Sequence, residues 1–169
     1  MTCSAFSAPT IDLPRGRLIA LTPAAASRLA AAIVAMPPWS VMAYPAEALA
    51  RFLAAADDGA SRFRLEVDGV EAGAVSIRSP WLKGPYLELL ALLPPFQRQG
   101  IGAGILTWFE TEASALGARN VWVCASSFND SALRFYESHG FRPAAVLRGL
   151  VADGYDEVLL RKFALRADE

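Results

Sequence analysis

The chain has 169 residues, sixteen lysines and arginines against seventeen aspartates and glutamates, and a formal net charge of −1. A chain of this length builds one ordinary domain, and its balanced charge argues against binding to the phosphate backbone of nucleic acids. Charges and prolines break every apolar run, so no stretch approaches the roughly 18 apolar residues that a membrane-spanning helix needs. One histidine and two widely separated cysteines offer neither a zinc site nor a Cys-His or Ser-His pair. We therefore expect a single domain without a bound metal, a nucleic-acid partner or a membrane span.

Residues 1–16 match no predicted element and contain no apolar segment of the kind that a secretion signal needs. The sequence predicts an N-terminal extension that is in part disordered, followed by a domain over residues 17–165. A cytoplasmic location is the corresponding expectation.

The first half of the predicted domain mixes strand and helix patterns. The apolar run at 17–21 predicts a strand, and Thr22 with Pro23 then forms an N-cap followed by proline at the first helical position. Residues 63–67 alternate between apolar and charged side chains, and Gly69 follows them, which is typical of a strand that enters a hairpin. The other elements predicted here are two alanine-rich helices and the second hairpin strand, at 24–35, 46–58 and 72–77.

The second half begins with a nearly continuous apolar run. Residues 86–93 are apolar apart from Glu88, as expected of a central strand that is buried on both faces. From Gln99 the apolar spacing becomes helical, and Gly117 ends that helix. A strand, a helix and two final strands are predicted at 121–125, 129–140, 141–147 and 155–163. The order of elements predicts an α/β fold built on one mixed sheet.

The loop at 94–103 joins the buried strand to the next helix through Gly100 and Gly102. Glycine lets a backbone approach an anion closely, and the amino end of a helix carries about half a positive charge. By itself such a loop is equally consistent with a tight turn between a strand and a helix. A pyrophosphate is a fitting ligand for it, and CoA carries one.

The pattern Gln97-x-x-Gly100-x-Gly102, followed later by the run at 129–141, resembles the two most specific motifs of the GNAT acetyltransferase superfamily. The resemblance covers residues 86–163. It implies a single α/β domain with a mixed, mostly antiparallel sheet, helices on both faces and a central strand pair that splays apart around acetyl-CoA. The residues that it implies for binding this co-substrate are Leu90, Leu92, Gln97, Arg98, Gln99, Gly100, Ile101, Gly102, Ala103, Asn129 and Tyr136.

The resemblance also implies roles for two side chains of the last motif. Tyr136 would donate a proton to the departing CoA thiolate, and Asn129 would contact the pantetheine arm. A thiolate leaving group benefits from a nearby O–H that a helix can hold rigidly. The alternative for Tyr136 is a core aromatic beside Phe135.

Glu88 is the candidate for the base that takes a proton from the attacking amine, directly or through water. A carboxylate on an apolar strand is disfavoured in its charged form by desolvation, which makes proton uptake easier. The alternative is that Glu88 lies near the exposed end of its strand and pairs with an arginine.

The acceptor is predicted only as an amine, of a small molecule or a peptide, and a homodimer is left open. Enzymes that acetylate ribosomal-protein N-termini resemble this chain in the Gln97 loop but carry a glutamate in a Trp-Leu-Glu-Val-like segment, where this chain has Cys124. That substrate class is therefore in doubt. The alternative function is a non-catalytic acyl-CoA-binding module, which would need neither Glu88 nor Tyr136. A P-loop hydrolase is disfavoured because no Lys-Ser/Thr pair follows the glycines.

Overall fold

A computed structural model of the protein describes residues 6–163, and within them one eight-stranded sheet carries four helices. The strands are β1 Thr10–Asp12, β2 Arg17–Ala20, β3 Ala60–Val67, β4 Val70–Trp81, β5 Gly84–Leu92, β6 Asn120–Ser126, β7 Arg142–Ala152 and β8 Tyr155–Phe163. The helices are α1 Pro23–Val34, α2 Ala46–Ala54, α3 Ile101–Ala115 and α4 Asp130–Ser138. The strands lie in the order β1-β2-β3-β4-β5-β6-β8-β7, and each pair is antiparallel except β5 with β6. The predicted mixed, mostly antiparallel sheet is confirmed.

The four helices cover both faces of the sheet. On one face α1 and α2 bury an apolar stripe that includes Leu29, Ile33 and Leu53. On the other face α3 buries Ile105 and Phe109, which share a helical stripe because they are four residues apart. No helix within residues 6–163 is long and apolar enough to cross a membrane.

The end of α2 differs from the prediction, which continued this helix to about residue 58. The structure ends it at Ala54, and Ala55 is already extended. The Asp57 carboxylate accepts a hydrogen bond of 2.9 Å from the backbone N–H of Gly59. A short polar side chain that bonds the backbone two residues on stabilises a turn at the expense of a helix.

The N-terminal segment contains an element that was not predicted. Strand β1 pairs with β2, and Phe6 is only 1% exposed and meets Trp108 of α3 edge to face at 5.6 Å. Part of the expected extension, Thr10–Asp12, is thus a strand, which at three residues is too short to show a period of two. Residues 1–5 of that extension and residues 164–165 of the predicted domain lie outside the described residues.

Two irregularities at β5 open the centre of the sheet. Ser76 of β4 lies opposite Leu89 and the next residue, Ile77, lies opposite Leu87, which leaves Glu88 as the extra residue of a β-bulge. Within the described chain β5 and β6 are paired at two positions alone, both at the start of the pair: Tyr86 with Trp122 and Leu87 with Val123. Beyond them the strands separate, as the predicted splay requires.

Candidate active site

A cavity of about 170 Å³ lies in the gap between β5 and β6. Trp39 and Met42 of the loop between α1 and α2 cover one side, and Leu150 and Val151 of β7 cover another. The Tyr155 hydroxyl donates a hydrogen bond of 3.2 Å to the carbonyl of Val41, which ties these two covers together. The polar side chains that line the cavity are those of Tyr86, Glu88, Cys124, Ser126, Asn129, Tyr136 and Glu157.

The backbone of β5 presents free groups to this gap. Leu93 donates its N–H to Ala72 of the β4 side at 2.8 Å. Because the direction of backbone groups alternates along a strand, Leu90 and Leu92 direct theirs away from β4 and toward the gap. Gln97 Nε2 donates to the Leu92 carbonyl at 2.8 Å. Within the described residues, the strand pairings leave the N–H of Leu92 and both backbone groups of Leu90 without a partner strand.

The loop after β5 turns a set of backbone amides toward the start of α3. None of the amides from Arg98 to Ala103 donates a hydrogen bond within residues 6–163. The first amides of a helix have no partner inside the helix, so these groups need an outside acceptor. Gly100, the N-cap residue, has φ of +78°, and a Cβ there would meet nothing within 4 Å. The loop therefore keeps both the conformation and the open space that an anion such as a pyrophosphate requires.

Arg15 braces this loop from outside, and Gln99 braces it from within. Arg15 donates to the Gln99 carbonyl at 2.8 Å and to Gln99 Oε1 at 3.1 Å. Gln99 Nε2 in turn donates to the Pro95 carbonyl at 2.6 Å. Arg15 was not predicted as part of the site, because nothing in its sequence neighbourhood relates it to a loop 84 residues away.

Asn129 and Tyr136 reach the cavity from the two ends of α4. Asn129 Oδ1 caps this helix by accepting the N–H of Ala132 at 3.2 Å, and Asn129 also lines the cavity. The Tyr136 ring packs against Phe135 and Phe141, at 5.3 and 5.8 Å between ring centroids. The Tyr136 hydroxyl has no hydrogen-bond partner within the described residues, while the residue lines the cavity. Burial raises the pKa of this phenol above its ordinary value.

Glu88 lines the cavity but is engaged by arginines. Its Oε2 accepts a hydrogen bond of 3.0 Å from Arg78 Nε, and its Oε1 accepts one of 2.7 Å from Ser76. Arg62 lies 3.8 Å from Oε1, and Asp57 pairs with both arginines. Two carboxylates thus face two guanidinium groups, so the charges of this cluster cancel. The pairing with an arginine, left open by the sequence, is present.

Glu157 of β8 is a second carboxylate in the cavity and was not predicted. It is 6% exposed. Its Oε1 accepts a hydrogen bond of 2.6 Å from the Ser126 hydroxyl, and its Oε2 lies 3.8 Å from Cys124 Sγ. Burial raises the pKa of this carboxyl, while the hydrogen bonds from Ser126 and Cys124 oppose that rise. The β6–β8 pairing creates this contact by placing Glu157 opposite Ser126.

Trp39, Tyr44 and Trp81 differ in how they relate to the cavity. Trp39 lines the cavity. Tyr44 packs against the apolar cluster beneath α1 and α2, and Trp81 stacks on Tyr86 at 4.6 Å without lining the cavity. Of these three aromatic residues, Trp39 is therefore the one that lines the cavity.

Comparison with known proteins decides the family. The family model described as the acetyltransferase (GNAT) family matches residues 28–141, about two thirds of the chain. The chain belongs to the acetyltransferase (GNAT) family. As a GNAT member it is an acyltransferase of the N-acetyltransferase type, as the sequence predicted.

Three relatives illustrate the likeness. The [ribosomal protein bS18]-alanine N-acetyltransferase of Escherichia coli strain K12 is 28% identical over 125 residues, which are 73% of this chain and 78% of the relative. The crystal structure of the ribosomal-protein-S18-alanine N-acetyltransferase from Escherichia coli matches with a TM-score of 0.68 at 21% identity, over 90% of this chain and 96% of that one. A GNAT family acetyltransferase from Elizabethkingia anophelis, solved with acetyl-CoA bound, matches with a TM-score of 0.61 at 14% identity. The match covers 79% of this chain and 88% of that one. The structural matches establish the fold that this GNAT protein shares with them.

Proposed function

We propose that this GNAT enzyme transfers the acetyl group of acetyl-CoA to a primary amine while both are bound. The observation that carries the proposal is the position of the cavity, which lies between the free backbone edge of β5 and Tyr136 of α4. Both substrates must meet at such a place for direct attack, and holding them together removes most of the entropic barrier. The E. anophelis relative with acetyl-CoA bound supports the choice of co-substrate.

The residues present fit acetyl-CoA. The amides from Arg98 to Ala103 would hold the pyrophosphate, and the Leu90 and Leu92 backbone with Asn129 would hold the pantetheine arm. When bound, acetyl-CoA supplies an activated acetyl thioester. The backbone amides at Leu90 and Leu92 would polarise the carbonyl that the amine attacks, because fixed donors need no reorganisation during the reaction.

Tyr136 would serve as the acid. Its raised pKa keeps the phenol protonated at neutral pH, and its hydroxyl is not committed to another residue of the described chain. A proton delivered to the leaving sulfur prevents the thiolate from reverting to the thioester. The proton of the attacking amine needs an acceptor, for which the cavity offers two carboxylates, Glu88 and Glu157.

The acceptor would be a cationic amine. The covers of the cavity are apolar at Trp39, Met42, Leu150 and Val151, and the charged residues among its lining are two glutamates. An apolar entrance with a carboxylate beneath it suits an ammonium group on an apolar stem or on a peptide. The E. coli relative, which acts on an alanine of ribosomal protein bS18, makes peptide α-amines the first class to try.

The test has a binding arm and a turnover arm. Millimolar acetyl-CoA should raise the melting temperature of the protein, since a ligand that binds the folded chain alone stabilises it by mass action, and ATP should not. A thiol-release screen of peptides, amino acids, polyamines and amine antibiotics should then find an acceptor. Binding without turnover on any amine would point to the non-catalytic acyl-CoA-binding module instead, and absence of binding would refute both.

A further inference from the structure

Among the residues that the structure describes, Glu157 is the carboxylate of the cavity without a cationic partner. Its two oxygens meet one hydroxyl and one thiol, both neutral donors, from Ser126 and Cys124 of β6. None of the ion pairs found within residues 6–163 includes it. Glu88, by contrast, has its charge balanced by Arg78 and Arg62.

This difference separates the two carboxylates chemically. A base must bind a proton during the reaction, and the two oxygens of Glu88 are already occupied by the Ser76 hydroxyl and the Arg78 guanidinium. A buried carboxylate with neutral donors alone gains a proton more readily. A buried anion without a counter-ion also attracts a cationic ligand, because ion pairing repays part of its desolvation cost.

We propose that Glu157 binds the ammonium group of the acceptor and takes the proton from its nitrogen as acetyl transfer proceeds, and this proposal rests on the proposed function. The bound ammonium first gives one proton to Glu157, which passes it to water, and the neutral amine that remains has a free electron pair. As its nitrogen bonds to the acetyl carbon, the carbon–sulfur bond of the thioester breaks. A second proton of the nitrogen goes to Glu157, and Tyr136 gives its proton to the sulfur. Exchange with water then restores both groups.

The strands fix this arrangement. Glu157 reaches the cavity from β8 and Tyr136 reaches it from α4, so the base and the acid stand on separate rigid elements around one cavity. Tyr86 and Glu88 face the same space from β5, and Cys124 faces it from β6. Of these titratable neighbours, Cys124 touches the Glu157 carboxylate and Glu88 is already neutralised by arginines. Burial holds the pKa of Glu157 above the ordinary carboxyl value, closer to the range in which a general base operates.

The test compares Glu157→Gln with Glu88→Gln, the matched carboxylate of the same cavity. With the best amine of the thiol-release screen, Glu157→Gln should lower kcat roughly 10²-fold or more and should remove the acidic limb of the pH profile of kcat/KM. Glu88→Gln should retain that limb at its wild-type position. Acetyl-CoA should still raise the melting temperature of both variants.

Ser126→Ala supplies a second readout that does not depend on losing the carboxylate. The hydroxyl stabilises the charged form of Glu157, so its removal should raise the pKa of Glu157 and move the acidic limb to higher pH. This shift of the acidic limb therefore tests whether Glu157 is the base even if Glu157→Gln does not fold.

The results of these experiments distinguish a failure of the role proposed for Glu157 from a failure of the proposed function. A wild-type enzyme that acetylates an amine, together with an unmoved acidic limb in Ser126→Ala and a normal kcat in a folded Glu157→Gln, overturns the role of Glu157 and leaves the proposed function standing. A wild-type enzyme that binds acetyl-CoA but acetylates no amine contradicts the proposed function, and the role of Glu157 with it.

Discussion

The Glu157 carboxylate and the Cys124 thiol lie 3.8 Å apart on adjacent strands, both lining the cavity. Burial first, and the charge of Glu157 second, raise the pKa of Cys124 to about 12. The thiol therefore stays protonated at neutral pH. Since the thiolate is the reactive form of cysteine, burial and the neighbouring charge both lower the reactivity of Cys124.

That relationship predicts how Cys124 responds to an alkylating reagent. Glu157→Gln removes the neighbouring charge, so it should lower the pKa of Cys124 and speed its alkylation by iodoacetamide at pH 8 to 9. The rate can be followed by intact mass in a Cys3→Ser background, which leaves Cys124 as the remaining cysteine. Equal alkylation rates with and without Glu157 would mean that the carboxyl is uncharged at these pH values, which would contradict its use as a base.

A second prediction concerns Glu88. Glu88→Gln keeps the shape of the side chain but removes the charge that faces Arg78 and Arg62. Hydrogen bonds to charged groups contribute about 1.5–3 kcal/mol, so the free energy of unfolding should fall by about that amount, as measured in urea.

The same variant tests the sequence-based role of Glu88 as the base. If Glu88 accepts the amine's proton, Glu88→Gln should lower the rate most at low pH, where the amine is protonated, and least at high pH. If Glu157 accepts it, the pH dependence should keep its wild-type shape. A flattened acidic limb in Glu88→Gln would restore Glu88 as the base.

Two glycines of α3 provide a matched pair for the loop. A Cβ on Gly102 would lie 3.2 Å from the Phe135 ring and 3.6 Å from Leu92, whereas one on Gly104 would meet Pro14 at 4.0 Å and nothing closer. Gly102→Val should therefore lower the free energy of unfolding by about 1–3 kcal/mol through overpacking, and Gly104→Val by much less. Denaturant unfolding of both variants checks this difference.

The pair also checks the acetyl-CoA site. Gly102→Val displaces Leu92 and Phe135 at the gap, so acetyl-CoA should raise its melting temperature less than that of the wild type. Gly104→Val should respond as the wild type does. An undiminished response of folded Gly102→Val would place the pyrophosphate elsewhere.

Much of the fold was predictable because its elements carry local signals. Thr22 with Pro23 marked the start of α1, and its hydroxyl does accept the N–H of Ala25 at 3.3 Å. Asn129 caps α4 at the start of the helix that the sequence predicted for residues 129–140. The glycine-containing loop and the apolar strand β5 were also predictable, because a loop of this kind and a buried strand each require particular residue types in a short stretch of sequence.

The remainder depends on pairing, which a single sequence does not display. Glu157 follows Asp156 at the start of the last strand and reads as a surface acid until the β6–β8 register places it opposite Ser126. The only feature of the sequence that suggests burial of Glu157 is the apolar run that follows it at 158–160. The ion pair of Glu88 with Arg78 was foreseen merely as an alternative, because the bulge that aims Glu88 depends on how β4 and β5 align.

The last prediction separates the two roles of Tyr136. Tyr136→Phe retains the ring that contacts Phe135 and Phe141 and deletes a hydroxyl that bonds no other described residue. Stability and acetyl-CoA affinity should therefore change little. If the hydroxyl meets the sulfur only as the carbon–sulfur bond breaks, its loss should lower kcat by roughly 10²-fold or more with KM nearly unchanged.

The comparison needs steady-state kinetics with an accepted amine and a melting curve for each protein. A fall in melting temperature equal to that of Tyr136→Leu, which also loses the ring, would show that the hydroxyl matters to the fold rather than to the chemistry. Because burial keeps the phenol protonated well above neutral pH, the deficit of Tyr136→Phe should be the same across the range in which the wild type is active. A normal kcat in Tyr136→Phe would remove this residue as the acid while leaving the acetyltransferase assignment intact.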